Sequence, residues 1–280
     1  MKRLALLLLV LFSQGAWAVD VDALWNYQDP AGSEQRFRSA LVAAVGDDAL
    51  VLRTQIARTY SLRKRFDDAH AELDAIAPAV ARAGPEVRVR ALLERGRTRR
   101  SAGQPRDAEP LFLQAVEVAE GAGLRGLAGD AIHMVALVQP DLERKRAWHQ
   151  RLLDFVGDSG DPKVRRWQAV AYNNLGSDLR EAGRFAEALQ AFEQALAAYR
   201  RDGKTGSVRI AQWQVANTLR LLRRIDDALQ AQQALLAELQ AAGETDPYVY
   251  EELALLHAAC GDEDRAAHYR ALHREAAARR

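Results

Sequence analysis

Residues 169–202 read AVAYNNLGSDLREAGRFAEALQAFEQALAAYRRD, and this stretch decides the fold. Its first half carries Tyr172, Leu175, Gly176 and Leu179 at helical spacing. Gly183 then stops that helix through a left-handed cap, and the second half carries Ala188, Phe192 and Ala195 on one face. The small residues Gly176 and Ala188 let two antiparallel helices cross closely, while the large side chains fill the space beside them. A single hairpin of this size is too thin to bury its apolar face, so it needs neighbours to stack against.

The neighbours are present in the sequence. A short, mostly polar phrase ending in Ala recurs as Arg65-Phe66-Asp67-Asp68-Ala69, Gln104-Pro105-Arg106-Asp107-Ala108, Arg184-Phe185-Ala186-Glu187-Ala188, Arg224-Ile225-Asp226-Asp227-Ala228 and Asp262-Glu263-Asp264-Arg265-Ala266. A degenerate copy ends at Ala147, and the successive alanines are 39, 39, 41, 40 and 38 residues apart. Such regularity makes the chain a repeat array.

On Tyr172, Leu175, Gly176, Leu179, Gly183, Phe185, Ala188, Phe192 and Ala195 the best copy resembles the tetratricopeptide repeat almost position by position. The resemblance implies an all-α, right-handed α-α superhelix of about six hairpins, with repeats starting near residues 50, 89, 128, 169, 209 and 247. The first copy carries Ile56, Ala57, Tyr60, Phe66, Ala69, Leu73 and Ile76, with Pro78 placed after its second helix. The second keeps Gly96, Gly103, Ala108, Phe112 and Ala115 but puts Arg95 and Arg99 where apolar residues belong, which predicts altered or looser packing there. In the third, Pro140 forces the turn. The period of about 40 exceeds the usual ~34, and loops such as 158–162 and 202–206 are expected to absorb part of the excess. This longer form is similar to the extended repeats of bacterial regulators and motor-protein light chains. Upstream, residues 19–49 form a separate segment in which Ser33 is expected to cap a helix running through residue 44 and covering the first repeat. The Arg-rich and Ala-rich tail is expected to be the closing helix.

Composition agrees. The 280 residues are 49% hydrophobic, 28% charged and 7% aromatic, and Ala, the strongest helix former, fills 53 positions. Basic and acidic residues nearly cancel, 39 against 38, which removes the whole-chain footprint of a nucleic-acid binder and makes any charge-driven binding local. Only five of the basic residues are Lys, a bias of the kind a GC-rich genome produces.

Residues 1–18 read as a bacterial secretory signal: Lys2 and Arg3, an apolar run over residues 4–12, then Ala16-Trp17-Ala18 as the cleavage site. Nine apolar residues fall short of the roughly 20 that span a bilayer. Cleavage after Ala18 predicts a periplasmic or secreted protein without stable membrane insertion. Cys260, the only cysteine, allows no internal disulfide and reads as a small buried residue late in a helix.

In the architecture that the resemblance implies, the first helix of each hairpin lines the concave groove. The groove positions carry Thr54, Gln55 and Arg58; Arg90, Glu94, Arg97 and Arg100; His133 and Gln139; Asn173, Asn174, Ser177 and Arg180; Trp213, Gln214, Asn217 and Arg220; and Glu251 and Glu252. Asn side chains donate to and accept from an extended peptide, and Arg forks hold carboxylates. Arg58, Arg97, Asn173, Asn174, Ser177, Arg180, Trp213, Asn217 and Arg220 are therefore the candidate peptide-binding residues. The family's carboxylate clamp is matched only in part, because Thr54 and Trp213 stand where a clamp places other side chains.

Neither catalysis nor metal binding is expected. The chain has no Gly-rich phosphate loop, no G-x-S-x-G elbow and no H-E-x-x-H. His257, Cys260, His268 and His273 lack the paired spacing of a zinc motif, and His70, His133 and His149 show no partner pattern. The acidic pairs Asp67-Asp68 and Asp226-Asp227 begin second helices, where carboxylates favour the positive end of the helix dipole. The expectation is an exported, non-enzymatic scaffold that holds a protein or peptide partner and needs no cofactor. The alternatives are a sensory module that changes curvature on binding a small peptide or ligand, and, less favoured, an enzyme of the cell envelope.

Overall fold

The computed structural model describes residues 19–279, so the expected secretory signal and its cleavage site lie outside the described residues. The described chain is all helix and turn. After α1 (Val21–Leu24) and α2 (Pro30–Leu41) come six hairpins: α3 (Gly46–Leu62) with α4 (Phe66–Val80), α5 (Pro85–Ser101) with α6 (Pro105–Gly121), α7 (Arg125–Ala136) with α8 (Leu142–Val156), α9 (Pro162–Glu181) with α10 (Phe185–Arg201), α11 (Thr205–Leu221) with α12 (Ile225–Ala241), and α13 (Pro247–Ala259) with α14 (Glu263–Ala277). Each first helix, here called helix A, packs on its own partner and on the next hairpin, as a superhelical array requires.

The extra residues of the long period go mainly into helix, not loop. Thr205 and Gly206 open α11, and the helices of the second and fifth hairpins all run 17 residues. Pro begins α2, α5, α6, α9 and α13, where its missing N–H costs nothing. The turn inside every hairpin but the third uses one left-handed residue. Gly183 supplies it at φ +73°, but Lys64 (φ 60°) and Arg223 (φ 62°) occupy the same position in the first and fifth hairpins, where a Cβ makes that conformation costly.

Several local expectations are corrected. Asp29, not Ser33, caps α2, its carboxylate accepting from Gly32 N–H, because Pro30 fixes the first helical position; the helix then ends at Leu41. Pro78 lies inside the last turn of α4. Cys260 is exposed, not buried, and caps the C-terminus of α13. The second hairpin is not loose. Arg95 turns outward to pair with Asp74 at 2.6 Å, Arg99 donates to Gln104 at 3.0 Å, and Leu93 and Phe112 stay fully buried between α5 and α6.

The core is unevenly divided. One cluster of 18 buried residues runs from Val89 through Phe112, Ile132 and Leu152 to Trp167 and Ala171, whereas the last three hairpins hold three clusters of four buried residues each. Apolar burial is the dominant stabilising contribution, so the N-terminal and middle repeats are the better-knit part.

Candidate binding groove

Helix A residues spaced three or four apart share one stripe of the helix surface. In α9 that stripe carries Asn173, Ser177 and Arg180, and in α11 it carries Trp213, Asn217 and Arg220. Side by side, these stripes form the inner face, and a polar ladder runs along it. Glu94 of α5 is almost fully buried and accepts from Arg58 of α3 at 3.2 Å and from Arg97 at 2.6 Å, while Arg97 also reaches Asp130 of α7. Burial alone would lower the Arg97 pKa, but the carboxylates of Asp130 and Glu94 outweigh it and hold the guanidinium above its ordinary value. Burial would likewise raise Asp130, and Arg97 overrides it downward.

The ladder continues through the middle. Asn174 Nδ2 lies 3.4 Å from His133 Nδ1, and His133 packs on Trp167 at 5.5 Å between ring centroids. His149 of α8 meets Asp178 of α9 at 2.9 Å, and Lys145 reaches the same carboxylate at 2.6 Å. In the last repeats Arg180 donates to Gln214 and, at 3.2 Å, to Asn217. Asn217 donates to Glu252 at 2.9 Å, and Arg220 grips both oxygens of Glu252 at 2.6 and 3.3 Å.

The candidate peptide-binding residues are thus brought to one face, but six of them, Arg58, Arg97, Asn174, Arg180, Asn217 and Arg220, are hydrogen-bonded to side chains of neighbouring repeats. The remaining three differ. Ser177 bonds back to the Asn173 carbonyl at 3.1 Å, the Asn173 side-chain oxygen is buried without a donor, and Trp213 donates to the Tyr248 carbonyl at 3.1 Å with the two rings edge to face. Both hydrogen-bond acceptors of Arg180 are neutral, and its burial lowers its pKa against the opposing charges of Glu181 and Glu252.

Along α3, α5, α7 and the start of α9 the inner face opens into a cleft of about 290 Å³. Its end near the N-terminus is an element that sequence reasoning missed. Trp25 and Tyr27 stack in parallel, 4.6 Å apart and 2° from coplanar, with the Arg58 guanidinium over both rings. Ser33, fully buried, builds the turn that makes this possible: its hydroxyl accepts from Asn26 N–H at 2.8 Å and donates to the Asn26 or Asp29 carbonyl, both 3.0 Å away. Trp25 Nε1 donates to Gln55 at 3.0 Å. The aromatic pair two residues apart, just before Asp29-Pro30, was the available signal. At the other end of the cleft stand Arg125, Lys163 and Arg166, on the first turns of α7 and α9.

The histidines near the C-terminus are used in packing. His257 stacks on Tyr269 at 5.5 Å and 12°, and His273 Nδ1 donates to the Pro247 carbonyl at 2.9 Å. Among the described residues no three His, Cys, Asp or Glu side chains converge as a metal site would require.

Residues 147–201 match the family described as tetratricopeptide repeat, and the remaining hairpins repeat that arrangement. Residues 147–201 thus carry the tetratricopeptide repeat, and the described chain has the fold of a tetratricopeptide superhelix. Solved structures that resemble this tetratricopeptide array include a signal transduction ATPase with numerous domains, carrying a tetratricopeptide repeat sensor, from Pyrococcus horikoshii; the TM-score is 0.70 at 13% identity over 88% of this chain. The present chain spans only 38% of that protein. The apo form of RapI is similar at a TM-score of 0.73 and 11% identity over 92% of this chain and 74% of that one. PilF of Pseudomonas aeruginosa is similar at 0.57 and 19% identity over 80% of this chain and 90% of its own. At such identities these likenesses concern the fold alone. No curated protein matches the chain in sequence.

Proposed function

We propose that this tetratricopeptide superhelix is an exported, non-enzymatic scaffold that holds a protein or peptide partner on its inner face. The leader-like residues 1–18 support export to the periplasm or beyond. The observation that carries the binding reading is the inner face itself. Its polar side chains are fixed in place by contacts between repeats, so a partner meets preformed donors and acceptors and little ordering entropy opposes binding.

A steric block tests it better than removal of Arg220, whose loss would strand the buried Glu252. Ser177→Trp places a large ring in mid-groove while leaving every rung of the ladder intact. Affinity capture from an envelope extract should retain the partner with the parent chain and lose it with this variant, at unchanged helical circular dichroism. A partner captured equally by both would sink the groove reading.

A second reading, a sensory module that changes curvature, has its own support. The last three hairpins are held by small separate clusters, and a tetratricopeptide repeat sensor shares the fold. Small-angle scattering profiles that do not change when the captured partner or its peptides are added would count against it.

A further inference from the structure

We infer that the cleft along the first helices of the first four repeats recognises an acidic peptide segment bearing an aromatic side chain, the ring stacking on Tyr27 and the carboxylates meeting Arg125, Lys163 and Arg166. This rests on the groove reading and assigns it a place and a chemistry.

The charge balance of the cleft is the first argument. Its cations are Arg58, Arg90, Arg97, Arg125, Lys163 and Arg166, and its anions are Asp22, Glu86, Glu94 and Asp130, six against four. The anions are mostly consumed locally. Arg58 and Arg97 are held by Glu94 and Asp130, and Arg90 pairs with Glu86 at 2.8 Å. The surplus sits at the α7 and α9 end. Arg125 donates to the Phe155 carbonyl and lies over the Phe155 ring, Arg166 lies over Trp167, and among the described residues none of Arg125, Lys163 and Arg166 has a carboxylate partner. All three are exposed, at helix N-termini whose dipoles add to the positive potential. The chain without its leader carries one more acidic than basic residue, so this is a local inversion of the overall charge.

The aromatic stack is the second argument. Tyr27 is 57% exposed although its ring is held parallel to Trp25, and the turn beneath it is locked by a buried serine. A rigid, outward-facing ring of this kind extends its stack to an incoming planar side chain at small entropic cost. The cleft volume falls at the lower limit of pockets that enclose small molecules, about 300 Å³. It suits one side chain of a longer segment better than a whole cofactor. Arg125 and the Lys163–Arg166 pair stand on neighbouring helices along one wall of the cleft, so an elongated acidic segment can meet all three. Packed helices lie roughly 8–10 Å apart. Two such spacings separate α3 from Arg125 on α7, which an extended chain covers in about five residues, and Lys163 and Arg166 stand one helix further on α9.

The test uses an acetylated, amidated octapeptide with phenylalanine first, four glycine and serine spacers, and three glutamates, against versions ending in three glutamines or three lysines. Isothermal titration of the chain without its leader should give the glutamate peptide at least tenfold tighter binding than either control, weakening with added salt. Lys163→Glu with Arg166→Glu should lower that affinity at least tenfold. Tyr27→Ala should lower it only while the phenylalanine is present. Equal binding of the glutamine peptide, indifference to the charge reversal, or full displacement by millimolar inorganic phosphate would each overturn the inference. If no peptide binds while Ser177→Trp still abolishes partner capture, the acidic assignment falls and the groove reading stands. If the glutamate peptide binds as expected but Ser177→Trp leaves capture intact, the reverse holds.

Discussion

Gly176 on α9 faces the ring of Phe192 on α10 so closely that a Cβ on the glycine would lie 2.7 Å from two ring atoms. The second hairpin repeats the relationship more tightly, with Gly96 against Phe112 at 2.3 Å, and both rings are fully buried. Close crossing of the two helices of a hairpin therefore depends on the absence of one methyl group.

Gly96→Ala and Gly176→Ala should each destabilise the fold by about 1–3 kcal/mol through overpacking, even though Ala is the better helix former. Gly121→Ala is the internal control. It ends α6 with nothing within 4 Å of the added Cβ, and it should be neutral or slightly stabilising. Urea unfolding of the three variants checks this; equal effects at all three positions would show that helix propensity, not the ring contact, decides.

Glu252 is 2% exposed and is the shared acceptor for Arg220 and Asn217. Glu252→Leu should destabilise by on the order of 2–4 kcal/mol, because it leaves the Arg220 charge in a partly buried site without its counter-ion. Adding Arg220→Met should restore part of that loss. A double-mutant cycle by denaturant unfolding measures the coupling, and strictly additive effects would mean that the pair contributes nothing of its own.

Stability should fall as pH drops from about 6.5 to about 4. Burial pushes His133 down to about 4; Asp130 offsets part of this, and His149, Arg97 and Arg100 add to it. In that window the unfolded chain takes up a proton that the folded chain refuses, which costs at most about 3 kcal/mol. For Asp178, burial raises the pKa, but hydrogen bonds from His149 and Lys145 prevail and hold it below the ordinary carboxylate value. Its contribution is complete above roughly pH 4 and is lost only below, so it adds no slope in the His133 window. Denaturant midpoints at pH 7 and pH 4.5 should draw closer in His133→Gln, a remaining difference belonging in part to His70, which burial also holds below the ordinary histidine value; an unchanged gap would assign the slope elsewhere.

The hairpin pattern and its partners were legible because they rest on local physics. Helical periodicity, a Gly at the left-handed turn and a small residue opposite an aromatic are written within one 40-residue stretch and then repeated five times. Lys64 and Arg223 show the limit of that legibility, since both take the left-handed turn without the residue type that announces it. The inner-face residues were also found in sequence, as positions on a stripe.

What those residues touch was not legible. Arg58 with Glu94, Arg180 with Asn217 and Arg220 with Glu252 join residues 32 to 37 apart, and only the stacking of whole repeats sets which atoms meet. The Trp25–Tyr27 stack needed Ser33 to fold a non-repeating segment against the array, so no period pointed to it. The sequence by itself determined the helices, their pairing and the polarity of the inner face, because backbone propensity and amphipathic spacing act over a few residues. Tertiary structure alone decided which of those polar groups are consumed between repeats and which charges remain at the cleft, because pairing is a matter of distance in space and burial.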